Sequence, residues 1–158
     1  MQCISQNVRF SKCKRYRYSL GRSWSEGSGK AVFICLNPST ADQRTDDPTI
    51  KRCVSFAHAW GCSSMEKVNL VAFCATKSED LKRHAKPICR NNDRWIAMAI
   101  SKANLSIACW RNHGEFLQRS DKIHHRYPTL LCLGINPSGA PKHPLYIKAM
   151  QTPFAYGK

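Results

Sequence analysis

The sequence predicts a single-domain protein with three α/β/α layers and a central, mostly parallel sheet of four strands. Its 158 residues are the length of one ordinary domain. Four short apolar runs are nearly continuous instead of alternating with polar residues, which is typical of strands buried on both faces of a parallel sheet. Helix-like segments separate these runs, and this alternation favours a right-handed sheet covered on both faces.

Residues 1–30, which we call the N-terminal arm, are basic, aromatic and rich in Ser and Gly. We interpret them as an arm or hairpin ahead of the sheet. Basic residues alternate there with Tyr and Trp, a mixture that fits phosphate contact together with stacking on unpaired bases. A solvated basic edge strand would have the same composition. The candidate DNA-binding residues of the arm are Lys12, Lys14, Arg15, Arg17 and Arg22.

Predicted strands and helices then alternate along the chain. The strands cover residues 31–36, 68–73, 105–110 and 129–133. The helices cover residues 47–60, 78–84, 91–102 and 116–127. In the first helix, Asp47 can act as N-cap, Pro48 lies in the first turn, and Gly61 follows the end.

The charge of the chain points to a polyanionic partner. There are 25 Lys and Arg residues against 10 Asp and Glu, which gives a net charge of +15 and a pI near 9.7. Such self-repulsion adds nothing to stability, so we interpret it as a surface for nucleic acid, with DNA as the expected partner. A generic basic surface is the alternative. No apolar stretch reaches the length of a membrane span, and no basic amphipathic helix stands out, so we expect no membrane association.

Nine cysteines are present, an odd number, and no two of them form a CxxC pair. Four lie inside apolar runs: Cys35, Cys74, Cys109 and Cys132. This pattern favours reduced thiols used as small core residues over a disulfide framework. A metal or iron–sulfur site assembled from distant cysteines is the alternative reading. The N-terminus has no apolar run typical of a signal peptide and no apolar stretch approaches 18 residues, so we expect a cytoplasmic protein.

Polar, turn-forming residues follow the first, third and fourth predicted strands. The three segments are 37–42 (NPSTAD), 110–114 (WRNHG) and 134–146, which contains both NPSG and HPLY. In open α/β sheets, ligands bind outside the carboxyl ends of the strands. We therefore expect the functional site where these segments meet.

Five ordered motifs carry a family resemblance: LNPSTAD, DDPTIKRC, VNLVAF, a Trp followed by His-Gly, and HPLY. Over nearly the whole chain they resemble a bacterial and phage family defined by a domain of unknown function. One departure is Arg111, where that family usually has Gly after the Trp. More distantly, the same four-strand order resembles the uracil-DNA glycosylase superfamily.

The more distant resemblance implies roles for individual residues. In the mismatch-specific branch, an Asn-Pro motif after the first strand orients the attacking water, and this role falls on Asn37. The base-reading Asn of the second strand corresponds to Asn69, and the loop that enters the DNA corresponds to 136–146. Within that loop either Asn136-Pro137-Ser138 or the segment beginning at His143 could be the matching motif; HPLY in the closer family favours His143. The acidic residue and His of the uracil-specific first motif are absent, which argues against uracil as the target but not against glycosylase chemistry.

Glycosidic bond hydrolysis requires a positioned water and stabilisation of charge on the departing base. Asn37 together with Asp42, Asp46 or Asp47 would place the water, and His143 would stabilise the base. We predict Asn37, Asp42, Asp47 and His143 as catalytic residues, Asn69, Ser39, Trp110 and His113 as base-binding residues, and Asn136, Ser138 and Lys142 as further DNA-binding residues.

Each of these residues also has a purely structural explanation. Asn37 fits a turn stabilised by its own side chain, and the aspartates fit the cap of the following helix. The Asn69 amide could be satisfied by neighbouring backbone, His143 could be a polar surface residue, and Trp110 could pack in the core.

The sequence thus predicts a monomeric, monofunctional DNA glycosylase that flips a base out of the duplex and excises it, leaving an abasic site. No lysine lies in a motif for Schiff-base chemistry, and we expect neither a metal nor another cofactor. A modified pyrimidine in phage DNA is the expected target, which would make the protein part of antiviral defence. The alternatives are an enzyme that alters pyrimidines in phage DNA without excision and a non-catalytic nucleic-acid-binding module.

Overall fold

A computed structural model describes residues 2–39, 45–75, 77–83, 88–89 and 91–157. Four parallel strands form the centre of the sheet: β3 (Lys30–Cys35), β4 (Ser64–Asn69), β5 (Leu105–Ala108) and β6 (Leu131–Cys132). Their spatial order is β4-β3-β5-β6. The predicted parallel centre is therefore confirmed, and all carboxyl ends of these strands meet at one edge of the sheet.

The prediction of a four-stranded sheet is wrong, because antiparallel strands extend the sheet on both sides to seven. On one side, β1 (Cys3–Phe10) and β2 (Arg17–Trp24) form an antiparallel hairpin, and β2 pairs with β4. On the other side, β7 (Phe154–Ala155) pairs with β6. The N-terminal arm was predicted to be an arm or a hairpin ahead of the sheet. It is a hairpin, but its strands are part of the sheet. Burial of Tyr18, Leu20 and Trp24 on β2 explains why.

Three of the predicted helices lie close to their predicted boundaries. Helix α1 (Pro48–Ala59) begins after Asp47, whose side chain accepts a hydrogen bond of 2.8 Å from the Ile50 N–H, as expected for an N-cap. Helix α2 covers Ser78–Arg83 and helix α3 covers Asn92–Ser101. The last helix, α4 (Arg119–Arg126), begins three residues later than predicted. A 3-10 segment, Asn112–Gln118, precedes it, and Leu117 and Gln118 have φ values of 54° and 56°, which no α-helix accommodates.

Helices cover both faces of the sheet. On one face, Cys53 and Phe56 of α1 pack with Phe33, Cys35 and Cys109. On the other face, Ile96 of α3 and Ile123 of α4 pack with Val32, Ile34 and Val68. Alternate residues of β3 therefore serve opposite layers, as the nearly continuous apolar run requires.

The cysteines occur as free thiols, and five are buried: Cys35, Cys53, Cys62, Cys109 and Cys132. Cys74 is half-buried. The sulfur atoms of Cys35 and Cys109, at the ends of neighbouring strands, lie 3.3 Å apart. Within the described part of the chain, no helix is long and apolar enough to cross a membrane.

Candidate active site

A pocket of about 170 Å³ opens at the carboxyl ends of the parallel strands. It is lined by Cys35, Leu36, Asn37, Lys67, Trp110, Arg111, His113 and His143. Four of the predicted site residues therefore meet in one place: Asn37, Trp110, His113 and His143. They come from the ends of β3 and β5 and from the loop after β6, which are the three segments that the sequence had singled out.

The Asn37 amide has a fixed orientation. Its Nδ2 group donates hydrogen bonds to the carbonyl oxygens of Ala75 (2.7 Å) and Pro38 (3.0 Å). Only a nitrogen can donate to two carbonyl oxygens, so the side-chain Oδ1 is the atom left for other partners. Among the described residues, this Oδ1 has no hydrogen-bond partner. Asn37 therefore presents an acceptor in the pocket, where it could hold a water molecule by one of its protons.

Asp47 fixes the segment that follows Asn37. One carboxylate oxygen accepts from the Ile50 N–H, and the other accepts from the Ser39 hydroxyl at 2.8 Å. Burial works against the charged carboxylate, but the Ile50 N–H, the Lys67 ammonium group and the Ser39 hydroxyl outweigh it and lower the pKa of Asp47. Asp47 thus stays ionised. It caps helix α1, as predicted, and it also places a negative charge beside the pocket.

Of the other two candidate aspartates, Asp46 is paired with a buried residue. It accepts from both Nε and Nη2 of Arg22, at 3.0 and 2.7 Å. Asp42 lies outside the described residues. The carboxylate that the structure brings nearest to the predicted chemistry is therefore that of Asp47.

His143 is half-buried, and one of its two ring nitrogens is used within its own turn. The Leu145 N–H donates to Nδ1 of His143 at 3.3 Å, so the proton of the neutral ring lies on Nε2. Burial, followed by the positive charges of Lys67 and Arg111, lowers the pKa of His143 to about 4. At neutral pH the residue is therefore an uncharged hydrogen-bond donor.

Trp110 forms the pocket wall and is also packed in the core. It is 1% exposed and meets the ring of Tyr156 edge to face, with the centroids 5.7 Å apart. Gly114 lies against its indole: a Cβ at Gly114 would come within 2.1 Å of Trp110 Cδ1. The Trp and Gly of this motif are thus spaced to pack on each other.

Arg111 has φ of 68°, in the left-handed region that glycine favours. This explains why the resembling family usually has Gly at this position. The guanidinium group of Arg111 lies 5.5 Å from the centre of the Tyr146 ring. It places a second positive charge at the pocket, near its rim.

Lys67 was not among the predicted site residues, although it lines the pocket and is only 4% exposed. It lies inside β4, ahead of the apolar run that predicted this strand. Within the parts of the chain that the structure describes, no hydrogen bond or ion pair of its ammonium group is found. The alternation of Met65, Lys67 and Asn69 on one face of β4 is the signal that could have found it.

Asn69 is 1% exposed and lies opposite Cys35 in the register of β3 and β4. Its carbonyl group accepts from the Asn92 side chain at 2.8 Å, whereas its own side-chain Oδ1 has no partner among the described residues. It is not one of the residues that line the pocket. A buried amide oxygen without a partner among the described residues is unusual, and the base-binding role of Asn69 stays a prediction.

The loop after β6 folds back on itself beside the pocket. Asn136 and Ser138 both donate to Oδ1 of Asn112, at 3.2 and 2.7 Å, so they are tied to the segment after Trp110. In the second half of the loop, Leu145 and Tyr146 are 43% and 70% exposed. His143 therefore lies in the pocket, and exposed apolar side chains follow it directly.

The basic turn between β1 and β2 lies at the same edge of the sheet as the pocket, since Cys74, beyond the end of β4, donates its N–H to the Arg15 carbonyl. Lys12, Lys14 and Arg15 are exposed, whereas Arg17 and Arg22 are 1% and 3% exposed. Three of the five predicted arm residues are thus exposed, and the other two are buried.

A family model described as a protein of unknown function, DUF1643, matches residues 17–145. This range includes all the residues that line the pocket, but not β1 or β7. No match was found among curated proteins or among solved structures.

Proposed function

Because this chain belongs to the family of proteins of unknown function DUF1643, its activity must be inferred from its pocket, and we propose that it is a DNA glycosylase. The observation that carries the proposal is the convergence of Asn37, Trp110, His113 and His143 at the carboxyl ends of parallel strands. A protein that only binds nucleic acid needs basic residues but not a pocket with oriented hydrogen-bonding groups.

The oriented groups divide the chemistry between them. The free Oδ1 of Asn37 accepts a hydrogen bond from the attacking water and directs the water oxygen at C1′ of the sugar. Positive charge develops on the sugar as the bond breaks, and the ionised Asp47 favours it. The base leaves with the bonding electrons, and the neutral His143 donates a hydrogen bond to it from Nε2.

The surface around the pocket is suited to DNA. Neighbouring strands lie about 4.8 Å apart, so the basic turn before β2 and the end of β5, three strands away, are roughly 15 Å from one another. Lys12, Lys14 and Arg15 can contact phosphates on one side of the pocket, and Arg111 and Lys142 on the other. Leu145 could fill the space left by a flipped base, and Tyr146 could stack on its neighbour.

We propose a modified pyrimidine as the target base. Excision of ordinary bases would destroy the genome of the host. Bulky modified pyrimidines, such as glucosylated hydroxymethylcytosine in phage DNA, carry polar groups that a site can require, and a site built for such groups rejects bases without them. In this proposal the protein protects the cell against phages with such DNA.

The test is incubation of the protein with a panel of natural and modified DNAs, followed by alkaline cleavage at abasic sites. We expect cleavage of DNA with modified pyrimidines and none of unmodified DNA. Asn37→Ala should lose the activity, whereas Asn7→Ala, an exposed residue of β1, should retain it.

The same panel separates the alternatives. Cleavage of uracil-containing DNA alone would assign the protein to uracil repair. A changed base that remains in the strand would indicate modification without excision. Binding of every DNA with no chemical change in any of them would leave a non-catalytic binding module.

A further inference from the structure

Lys67 places a buried positive charge in the pocket, and none of the catalytic roles proposed above involves it. The ammonium group of Lys67 belongs to a side chain that is 96% buried, and a buried charge is costly unless a partner compensates it. Among the described residues no carboxylate forms an ion pair with Lys67, although its charge does lower the pKa of Asp47. Glu66 accepts from Ser19 and Lys30, and Asp47 accepts from Ser39 and Ile50.

The other groups that face the pocket add donors. His143 presents the N–H of Nε2, and Arg111 presents its guanidinium group at the rim. Asn37 contributes an acceptor, its Oδ1, which is the atom expected to hold the water. A neutral ligand with equal numbers of donors and acceptors would leave some of these hydrogen-bond donors without an acceptor. An anion would satisfy them.

We propose that the pocket selects an anionic ring and that Lys67 is the catalytic residue that takes up its negative charge. The proposal rests on the glycosylase function. When the C1′–N bond breaks, both electrons go to the base, whose carbonyl oxygens then share the charge. Lys67 donates a hydrogen bond to one of these oxygens and keeps its proton. The water oxygen bonds to C1′, and the proton released from the water neutralises the base.

The size of the pocket limits what can occupy it. At about 170 Å³ it is smaller than the pockets that hold drug-sized ligands. It suits a single ring, so the substrate class is a pyrimidine with a carbonyl oxygen directed at Lys67. Bulky substituents of a modified pyrimidine would have to extend through the mouth of the pocket.

Calorimetric titration with two free pyrimidines tests the proposal without any DNA. Barbiturate is an anion at neutral pH, and uracil has nearly the same shape but is neutral. We expect the wild-type protein to bind barbiturate about tenfold or more tightly than uracil, the difference that one charge-assisted hydrogen bond makes. In Lys67→Met, barbiturate affinity should fall about tenfold while uracil affinity stays the same.

Methionine matches the lysine side chain as far as Cε and lacks only the ammonium group, and replacement of a buried charge by an apolar residue of similar volume is commonly tolerated. Lys67→Gln is the second variant, and Lys102→Gln, an exposed lysine after α3, is the control that should change neither affinity. Equal loss of both ligands in the Lys67 variants, unchanged barbiturate binding in them, or no preference for barbiturate in the wild type would overturn the proposal.

The outcome is distinguishable from failure of the glycosylase proposal. Lys67-dependent selection of barbiturate without base release from any DNA would mean that the pocket holds an anionic ring but is not a glycosylase site. Base release without a preference for barbiturate would support the glycosylase function and would show that Lys67 has no part in its mechanism.

Discussion

The orientation of the Asn37 amide makes a prediction for that single residue. Asn37→Ala removes the acceptor for the attacking water, so base release should fall about 100-fold, as when one positioned catalytic hydrogen bond is lost. It also removes the donor to Ala75 and Pro38, which should cost about 1 kcal/mol of unfolding free energy. Single-turnover base release and urea unfolding measure the two effects. Retention of more than about a tenth of the activity would contradict the water-positioning role.

The protonation of His143 links stability to pH. Its pKa is about 4 in the folded protein and about 6.5 in the unfolded chain. Between these values the unfolded chain binds the proton more strongly, so the contribution of His143 is complete above about pH 6.5 and is lost as the pH falls towards 4. Lys67 and Arg111 oppose protonation, and Asp47 favours it.

Urea unfolding at several pH values between 4 and 7 should therefore show a smaller pH dependence for His143→Asn than for the wild type, since Asn can still cap the following turn. His125→Asn, on the exposed side of α4, is the control. Identical pH dependence in His143→Asn and the wild type would mean that His143 titrates normally in the folded protein.

At the scale of elements, the contact between Gly114 and Trp110 joins the 3-10 segment to the end of β5. An added methyl group at Gly114 would overlap the indole, which is fully buried and cannot move without displacing Tyr156. Gly114→Ala should lower the unfolding free energy by about 1–3 kcal/mol, the usual cost of overpacking, and should reduce base release by moving the pocket wall. Gly157→Ala, where a methyl group meets nothing within 4 Å, should change neither quantity.

Elements whose boundaries depend on local chemistry were predicted well, and those that depend on distant pairing were not. Asp47 and Pro48 define the start of α1 locally. By contrast, the apolar run at 68–73 overlaps β4 only at its first two residues. Leu70 and Val71 are buried, but they donate to the segment at the end of β3 after the regular pairing has ended. Burial alone therefore did not locate the strand, and the strands β1, β2 and β7 depend on partners elsewhere in the chain.

At the scale of the whole molecule, the positive charge should make DNA binding strongly dependent on salt. Each phosphate contact contributes about −0.9 to the slope of log K against log salt, so about six contacts give a slope near −5. Replacing Lys12, Lys14 and Arg15 by Gln should reduce the slope by roughly 2–3. The exposed pair Lys102→Gln/Arg126→Gln, after α3 and at the end of α4, should leave it nearly unchanged. Equal slopes for both variants would remove the basic turn from the DNA interface.

The residues of the candidate site that lie at strand ends could be predicted, because their position follows from a general property of parallel sheets. Carboxyl ends of the strands meet at one edge, so Asn37, Trp110 and His143 could be expected together. Lys67 was not predicted, because the alternation of Met65, Lys67 and Asn69 shows only that they share a face, and whether that face meets the pocket depends on the strands that flank β4. For the same reason the burial of Arg17 and Arg22 followed only from the pairing of β2 with β4.

Tyr156 lies after every other described element in chain order, yet it contacts residues on two of the segments that surround the pocket. Its ring supports Trp110, its hydroxyl donates to the Gly139 carbonyl at 3.2 Å, and its N–H donates to Leu130 at 2.9 Å. During synthesis the ribosome therefore releases the support of the pocket wall only after all the strands of the parallel centre have emerged. The nascent chain can bury most of its sheet early, but the pocket wall is complete only once Tyr156 has emerged. The wall of the pocket thus acquires its aromatic support after the sheet that carries it has emerged.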